Sequence, residues 1–425
     1  MRRSAIARFR TILLLAAAAA TCPSGTAYAQ QQNFTWEEIR DKFLSTNPTL
    51  QAQAQSIASN RASEITAALR PNPQFQNDTT AATAGIYQEI EIGGKRRARI
   101  ESARLATSIS QTDLVNTRRS LLFNLRQAFV AALLANSDLE FARENLADYH
   151  KVVDLNHLML QQGETSRANF LKVQLQMLQF QTDLDDAVLE SKTAKATLRA
   201  MIGPANLPQE FGLVGMLQAV PLNRSLPELQ QLALDNRPDL KSATTGRAKA
   251  FADFHVAKAN RWPDPTVGVS FLHTGDEIGG PTWFEPFFPK GATTNAMGMG
   301  LASISIPLFN RNQGEVARTK SEELRAEFLI EVARNQVIQD VETAYASFES
   351  SRERVRLYEE TYLSAAKESL EIQQFSYRNG AASVLDFLDA ERTYRATQLA
   401  YRQQLAAYMA NLAQLEAAVG VPLIP

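Results

Sequence analysis

The chain has 425 residues, 45% of them hydrophobic, so it is long enough to bury a large core and to form two or three domains. Its formal net charge is −1 and no basic block occurs, which gives little support to nucleic-acid binding. The sequence contains one cysteine, so an intrachain disulfide is excluded.

The first 29 residues have the pattern of a secretory signal peptide. A basic region with arginines at 2, 3, 8 and 10 is followed by an apolar run and by an Ala27-Tyr28-Ala29 cleavage site. The apolar run is too short for a membrane-spanning helix, and no later run reaches about 18 apolar residues. Cys22 lies inside this leader without the box that precedes a lipoprotein cysteine. We therefore expect cleavage after Ala29 and a mature chain without cysteine.

The rest of the chain repeats one pattern twice. We expect a first structural repeat over 30–212, a connector over 213–225 and a second repeat over 226–425. Each repeat is predicted to contain a short helix, a medium helix, two strands, a very long helix, a glycine turn and another long helix. The duplication rests on paired motifs such as Asn47-Pro48-Thr49-Leu50 with Arg237-Pro238-Asp239-Leu240, and Pro71-Asn72-Pro73 with Pro263-Asp264-Pro265.

The longest helical patterns cover 97–161 and 314–377. Each has about 64 residues, or ~95 Å of helix if unbroken. Apolar residues recur in them at a spacing of three and four, with charged residues between. Helices of this length favour coiled-coil or helical-barrel packing, and an ordinary antiparallel bundle is the alternative.

Alternating segments predict strands at about 72–92, 265–274 and 297–308, with two strands in the first of these ranges. Their length is that of a transmembrane strand. Four strands cannot close a barrel, and an open edge is not tolerated in lipid, so a membrane protein would need several copies of the chain. A soluble sheet that caps a helical bundle is the alternative. The leader, the absent cysteine and the repeat favour the barrel.

Three stretches of the mature chain resemble the TolC-like outer-membrane efflux factors. One is ISIPLFNRNQG at 304–314, which leads into a long helix, and another is Tyr377-x-x-Gly380 followed by LDFLDA at 385–390. The third, QEIEIGGKR at 88–96, is most similar to the CzcC-type branch of heavy-metal RND efflux systems. With the duplicated plan, the resemblance covers nearly all of the mature chain.

This resemblance implies a mainly α fold with a small β part. Long coiled-coil helices would form a trimeric α-barrel tunnel in the periplasm. Each chain would also give four strands to a twelve-stranded trimeric β-barrel in the cell outer membrane. The implied partners are two further copies of the chain, a periplasmic adaptor (membrane fusion protein), an inner-membrane RND pump and outer-membrane lipid, with no nucleic acid and no cofactor.

The function implied is a passive exit duct that exports heavy-metal cations and is opened at its periplasmic tip by the adaptor and the pump. A duct for drugs or for type I protein secretion is the first alternative. A soluble periplasmic coiled-coil adaptor or scaffold is the alternative from another class. No nucleophile elbow, phosphate loop or H-E-x-x-H motif occurs, so we expect no enzymatic activity. The four histidines form no ligand cluster, and no metal site is predicted.

The candidate gate follows the second glycine turn. Asp386 and Asp389 lie one helical turn apart and so share a helix face. The pattern Ser383-x-x-Asp386 by itself indicates a helix cap, whereas the resemblance implies rings of carboxylates at the narrow end of a trimeric tunnel. Tyr377 matches a residue that holds the closed state. Two positions after the glycine, where a well-described relative has a basic latch residue, this chain has Ala382, which argues against that type of latch.

The two turns themselves are candidate contact points. Gly163 and Gly380 are predicted to give positive-φ turns between antiparallel helices. The resemblance implies that these glycines, together with Ser383 and Leu385, contact the adaptor. Sequence does not separate this role from a purely structural one.

Aromatic residues near the strands are a further candidate site. Trp262 precedes the third strand, and Trp283 and Phe284 lie in a predicted long loop between the last two strands. We expect these three residues to form an aromatic belt or an extracellular loop. Scattered loop aromatics are the alternative.

Overall fold

The computed structural model describes residues 32–78, 83–272 and 296–424. The predicted leader, Cys22 and the loop aromatics Trp283 and Phe284 lie outside the described residues. Among the helices of the three described ranges, none combines the length and the hydropathy of a membrane span.

The elements follow one another in the same order in both halves of the chain, and the chain is mainly helical with a small β part, as predicted. The first half contains β1 (Asn33–Phe34), α1 (Trp36–Thr46), α2 (Pro48–Ala68), β2 (Gln74–Asp78), β3 (Thr83–Glu89), α3 (Lys95–Gln161), α4 (Arg167–Ile202) and β4 (Gly212–Leu213). The second contains α5 (Leu226–Asn236), α6 (Pro238–Ala259), β5 (Thr266–Leu272), β6 (Ala296–Ser303), α7 (Gln313–Leu357), α8 (Leu363–Arg378) and α9 (Val384–Val419).

Equivalent helices begin with equivalent caps. Thr35 and Glu38 form a capping box at the start of α1, and Ser225 and Glu228 form one at the start of α5. Each box satisfies two backbone N–H groups that a helix end leaves unpaired. The duplication therefore extends to the local chemistry that starts the helices.

In each half, a side chain at the junction of the first two helices donates a hydrogen bond to the end of the last helix of that half. In the first half, Thr46 donates to the Ile202 carbonyl of α4 at 3.2 Å. In the second, the buried Arg237 donates to the Ala418 carbonyl of α9 at 2.9 Å. Arg119 of α3 also donates to the Ala417 carbonyl, which joins the first half to the second.

The strands form a four-stranded antiparallel sheet in the order β2-β3-β5-β6, and β1 pairs with β4 in a separate parallel pair. The fourth strand ends at Ser303, whereas the sequence predicts a strand to about 308. Ser303 pairs with Thr266, the first residue of β5, so the residues after Ser303 have no neighbouring strand in the parts of the chain that the structure describes. The prediction was wrong there because alternation of side chains does not show where the partner strand begins.

The two faces of this sheet differ in chemistry. Phe75, Ile86, Val269 and Met299 are in register across the four strands, and their exposed fractions are 71%, 59%, 41% and 79%. The next row, on the opposite face, consists of Gln74, Tyr87, Gly268 and Gly300. One face is therefore apolar and exposed, and the other carries small and polar residues.

The long helices of the two halves are not identical. The α3 helix runs unbroken for 67 residues, or ~100 Å. Its counterpart is interrupted between α7 and α8 by a π-helical turn, Tyr358–Tyr362, where Tyr401 donates to the Glu359 carboxylate at 2.8 Å. The predicted helix over 314–377 is therefore divided, because the apolar spacing continues through the turn and does not reveal the change of hydrogen bonding.

The helices are arranged in the same order as the strands. The α2 helix packs on α3, α3 on α6, and α6 on α7, so α2 and α7 lie at the two edges. Two buried clusters hold the short helices against the long ones, one built around Ile39, Phe43 and Phe129 and the other around Leu229 and Phe348. A third cluster lies toward the glycine turns and includes Tyr149, Val173, Phe180, Tyr377, Val384, Phe387 and Leu388.

Candidate gate at the glycine turns

Both long-helix turns are built in the same way. Gly163 and Gly380 have φ values of 76° and 70°, as the sequence predicts for these positions. After each helix one N–H reaches back five residues, from Glu164 to the Met159 carbonyl at 2.9 Å and from Ala381 to the Ser376 carbonyl at 2.8 Å. This is the Schellman motif with glycine in the left-handed position, which a side chain would strain.

The helix after the second turn begins with the predicted cap. Ser383 Oγ accepts from the Asp386 N–H, and an Asp386 carboxylate oxygen accepts from the Ser383 N–H at 3.2 Å and from its hydroxyl at 2.7 Å. Asp386 and Asp389 are both exposed, and Leu385 beside them is 57% exposed. In the single chain, therefore, Asp386 acts as a cap and Asp389 faces solvent.

The first turn lacks these carboxylates. At the positions equivalent to Asp386 and Asp389 it has Asn169 and Lys172. Ser166 caps that helix by accepting from the Asn169 N–H at 3.2 Å. The two turns thus share their backbone design and differ in charge.

Tyr377 connects the two turns. It is 7% exposed, its hydroxyl donates to the Asn156 side-chain carbonyl of α3, and its ring stacks on Phe387 of α9 at 5.3 Å with the planes 6° apart. Burial raises the pKa of Tyr377, although hydrogen bonds to Thr165 and Asn156 act in the opposite direction. One side chain therefore holds α3, α8 and α9 together through packing and a buried hydrogen bond.

A second set of contacts lies next to Tyr377. Tyr149 of α3 donates to the Val173 carbonyl at 3.1 Å and stacks on Phe180 at 4.5 Å. Arg395 of α9 lies 4.6 Å from the Phe180 ring centre and forms an ion pair with Asp183 of α4 at 2.5 Å. These contacts join the two helical hairpins on their shared side.

Glu391 is a half-buried carboxyl between the hairpins. It lines a cavity of about 330 Å³ together with Asn156, Phe180, Tyr377 and Arg395. Burial raises the pKa of Glu391 to about 7, and the positive charge of Arg395 reduces the rise. The other charged or titratable groups that line this cavity are Asp148 and Lys151 on α3, Tyr377 and Arg378 on α8, and Tyr394 and Arg395 on α9.

Packing of the two hairpins should therefore depend on pH through Glu391. Because the carboxyl holds its proton more tightly when buried, packing is most stable below its ordinary pKa of 4.5 and weakens as the pH rises through about 7. The loss is at most about 1.4 kcal/mol for each unit of pKa shift. Glu391→Gln should remove this dependence, measured as hydrogen exchange of peptides around Tyr377 at several pH values. An equal pH dependence in the variant would contradict the assignment to Glu391.

The structure brings most of the predicted gate residues to one end of the helices. Tyr377, Gly380, Ser383 and Asp386 follow one another around the second turn, and Gly163 lies in the neighbouring turn. Trp262 lies elsewhere, at the helical side of the sheet, 62% exposed and against Gly93. Trp262 thus precedes β5 and lies at the end of that strand opposite Leu272.

Sequence reasoning missed Asn156 and Glu391. Asn156 of α3 is fully buried. A single amide side chain at an apolar position of a long helix commonly fixes the register and the partner with which that helix packs. Glu391 lies four residues after the buried Phe387, so the helical period places it on the buried face. In the described parts of the chain, no group of three histidine or carboxylate side chains is arranged to hold a metal ion.

Comparison with known proteins agrees with this architecture. A family model described as outer membrane efflux protein matches residues 39–204 and 229–421. The cobalt-zinc-cadmium resistance protein CzcC of Cupriavidus metallidurans is 24% identical over 86% of this chain and 85% of its own. Toxin and drug export protein A of Aggregatibacter actinomycetemcomitans is 24% identical over 75% of this chain and 67% of its own.

Solved channels show the same fold. A crystal structure of CusC superposes with a TM-score of 0.74 at 18% identity and covers 92% of this chain and 96% of its own. The family match extends over most of both halves, from α1 to the end of α9. It excludes the soluble scaffold that the sequence left as an alternative. The chain is a member of the outer membrane efflux protein family and is located in the outer membrane.

Proposed function

We propose that the chain is the outer-membrane exit duct of a tripartite efflux system and that three copies close it into a tube. The observation that carries this proposal is the four-stranded sheet, whose edges at β2 and β6 are unpaired within the described residues and which has one exposed apolar face. An unpaired edge in lipid costs several kcal/mol for each unsatisfied backbone group, on the order of the desolvation cost of an amide. Pairing β2 of one copy with β6 of the next removes both edges.

The helices support the same arrangement. At one edge of the helical layer Ile65 of α2 and Leu69, which follows that helix, are exposed, and at the other edge α7 exposes Phe328 and Val332. Their exposed fractions in the single chain are 67%, 60%, 72% and 61%. Because different surfaces meet, the contact is head-to-tail, and such a contact forms a closed ring when the rotation between neighbouring copies is a whole fraction of a turn. Three copies give the twelve strands that the family resemblance implies.

The test of the duct is its assembly and conductance. Protein extracted in detergent should have the mass of a trimer, and it should conduct ions in planar bilayers. A monomer that stays soluble without detergent and forms no channel would overturn the proposal. The adaptor and the inner-membrane RND pump would bind at the turns that contain Gly163, Gly380, Ser383 and Leu385, where Ser383 and Leu385 are exposed.

The gate proposal concerns Asp386 and Asp389. In a trimer each exposed carboxylate becomes a ring of three, which attracts cations at the narrow end of the tunnel. Asp386→Asn with Asp389→Asn should lower cation selectivity and weaken block by divalent cations, measured as reversal potential and current in bilayers. Asn keeps the shape and most of the capping capacity of Asp, so the change tests charge.

A matched control removes two charges from the other hairpin. Asp154 and Glu164 are exposed near the first turn, so Asp154→Asn with Glu164→Gln gives the same change in net charge. We expect this variant to keep the selectivity of the wild type. If both double variants change selectivity equally, a specific ring at Asp386 and Asp389 is excluded.

We propose heavy-metal cations as the exported substrate. The support is the resemblance of the 88–96 segment to the CzcC-type branch and the coverage of CzcC along most of both chains. Loss of the gene should lower survival on cobalt, zinc, cadmium or copper, and the wild-type gene should restore it.

A drug or protein duct is the second candidate, favoured by the similarity to a toxin and drug export protein. Sensitivity of the deletion strain to organic toxicants with unchanged metal tolerance would support that candidate and overturn the metal proposal.

A further inference from the structure

The polar face of the sheet contains a tyrosine that lies on glycine. Tyr87 of β3 is paired with Gly268 of β5. A Cβ atom added at Gly268 would lie 2.8 Å from Tyr87 Cε1, and one added at Gly85 would lie 2.9 Å from the Tyr87 hydroxyl oxygen. These distances are shorter than atoms tolerate, so the ring is folded flat across the sheet over both glycines.

Gly300 provides an internal comparison. It is in register with Gly268 on the next strand and on the same face, yet a Cβ atom added at Gly300 would meet nothing within 4 Å. The lack of a side chain at Gly268 therefore leaves room for the ring, where an added Cβ would overlap with Tyr87 Cδ1. At Gly85 it leaves room both for the ring and for the Val269 carbonyl oxygen, which an added Cβ would meet at 2.9 Å. Aromatic rings that cover glycine are a recurring way to stabilise strands.

We infer that Gly85 and Gly268 form a seat that holds Tyr87 against the wall of the barrel and thereby keeps its lumen open. The inference rests on the proposed trimeric duct. The opposite face carries Phe75, Ile86 and Met299, which suit lipid, so the face with Tyr87 and the glycines lines the lumen.

The size of the barrel explains why the orientation of the Tyr87 side chain affects the width of the lumen. Side chains fill the interior of barrels of about 8 strands, whereas barrels of about 16 strands leave a water channel. A twelve-stranded barrel lies between these cases, so the direction of large inward side chains decides how much of the lumen stays open. Symmetry places the three copies of Tyr87 at one level. Three rings that turned inward together would narrow the lumen there.

The test compares single-channel conductance in planar bilayers, and every protein in it, including the reference, carries Tyr377→Ala so that the tip is open and the barrel limits the current. Gly268→Ala removes the seat, turns the ring inward and should lower conductance by about a third or more. Gly300→Ala adds the same methyl group at the same level and should leave conductance unchanged. Tyr87→Ala combined with Gly268→Ala should restore at least the conductance of the reference, because no ring is left to displace.

A thiol-labelling measurement covers the case in which Gly268→Ala fails to assemble. The sequence has one cysteine, Cys22, so a new thiol in the mature chain is unique if the leader is removed. A charged thiol reagent should reduce the conductance of Tyr87→Cys and leave that of Ile86→Cys unchanged.

The outcomes separate this inference from the duct itself. A wild-type protein without channels overturns both. Two results would overturn the inference about Tyr87 and leave the duct in place. In one, the wild type forms channels but Gly268→Ala does not change conductance. In the other, the thiol reagent reduces the conductance of Ile86→Cys and not that of Tyr87→Cys.

Discussion

Tyr377→Ala should leave the duct open without its adaptor and pump. The substitution removes a buried ring stacked on Phe387 together with the hydroxyl that binds Asn156. Truncation of a buried aromatic side chain costs about 3–5 kcal/mol, and a trimer loses three such contacts. We expect a higher open probability and a larger mean conductance than the wild type in planar bilayers.

Two further variants divide the effect into packing and hydrogen bonding. Tyr377→Phe keeps the stack and leaves the buried Asn156 without this donor, at a cost of about 1–3 kcal/mol, so its opening should be intermediate. Phe375→Ala removes an aromatic ring from the same helix that is 70% exposed in the single chain, and it should have the smaller effect. Wild-type conductance in Tyr377→Ala would exclude Tyr377 from the closed state.

Arg237→Ala should destabilise the whole assembly without opening the tip. Arg237 donates to Asp239 and Asp340 at 2.5 and 2.8 Å and to the Ala418 carbonyl at the end of α9. Burial opposes its charge, but bonds to both carboxylates outweigh burial and raise the pKa of Arg237. Removal of one member of a fully buried ion pair costs about 3–5 kcal/mol. The carboxylates left behind, Asp239 and Asp340, are 31% and 33% exposed, so we expect a smaller loss and a lower midpoint of thermal unfolding.

The matched control is Arg356→Ala. Arg356 also forms two ion pairs, with Glu353 and Glu360, but it lies on the exposed face of α7. Exposed pairs contribute little because water and salt screen them, so the unfolding midpoint should stay close to the wild type. Equal destabilisation by the two substitutions would show that burial of Arg237 is not what makes it important.

Much of the fold could be predicted because it depends on local signals. Capping residues, helix-breaking prolines and turn glycines mark the element ends, and the spacing of apolar residues gives the helix type over the length of α3. The sequence predictions fail where residues distant in the sequence determine the local backbone structure. The π-helical turn at Tyr358–Tyr362 and the end of β6 at Ser303 depend on Tyr401 and on the start of β5, which no local pattern reveals.

The residues of the candidate gate could be predicted only where a local sequence feature or the family resemblance indicated them. Glycine turns and the Ser383 cap are local features, and the resemblance supplied Tyr377 and the two aspartates. Asn156 is 221 residues from Tyr377 in the sequence, and Glu391 is buried by helices that belong to both halves. Their roles follow from tertiary packing, so a single sequence shows at most that each occupies a buried helical position.

The pairing of β3 with β5 has a consequence for the ancestry of the fold. Each half supplies two strands and one set of helices, so six copies of a half-length ancestor could close the same ring that three full chains close. The present halves are no longer interchangeable, because Arg119 of the first half binds the end of α9 in the second, and Asp386 and Asp389 correspond to Asn169 and Lys172 in the first half. Fusion thus allowed alternate positions around one ring to acquire different chemistry, which a ring of identical halves could not do.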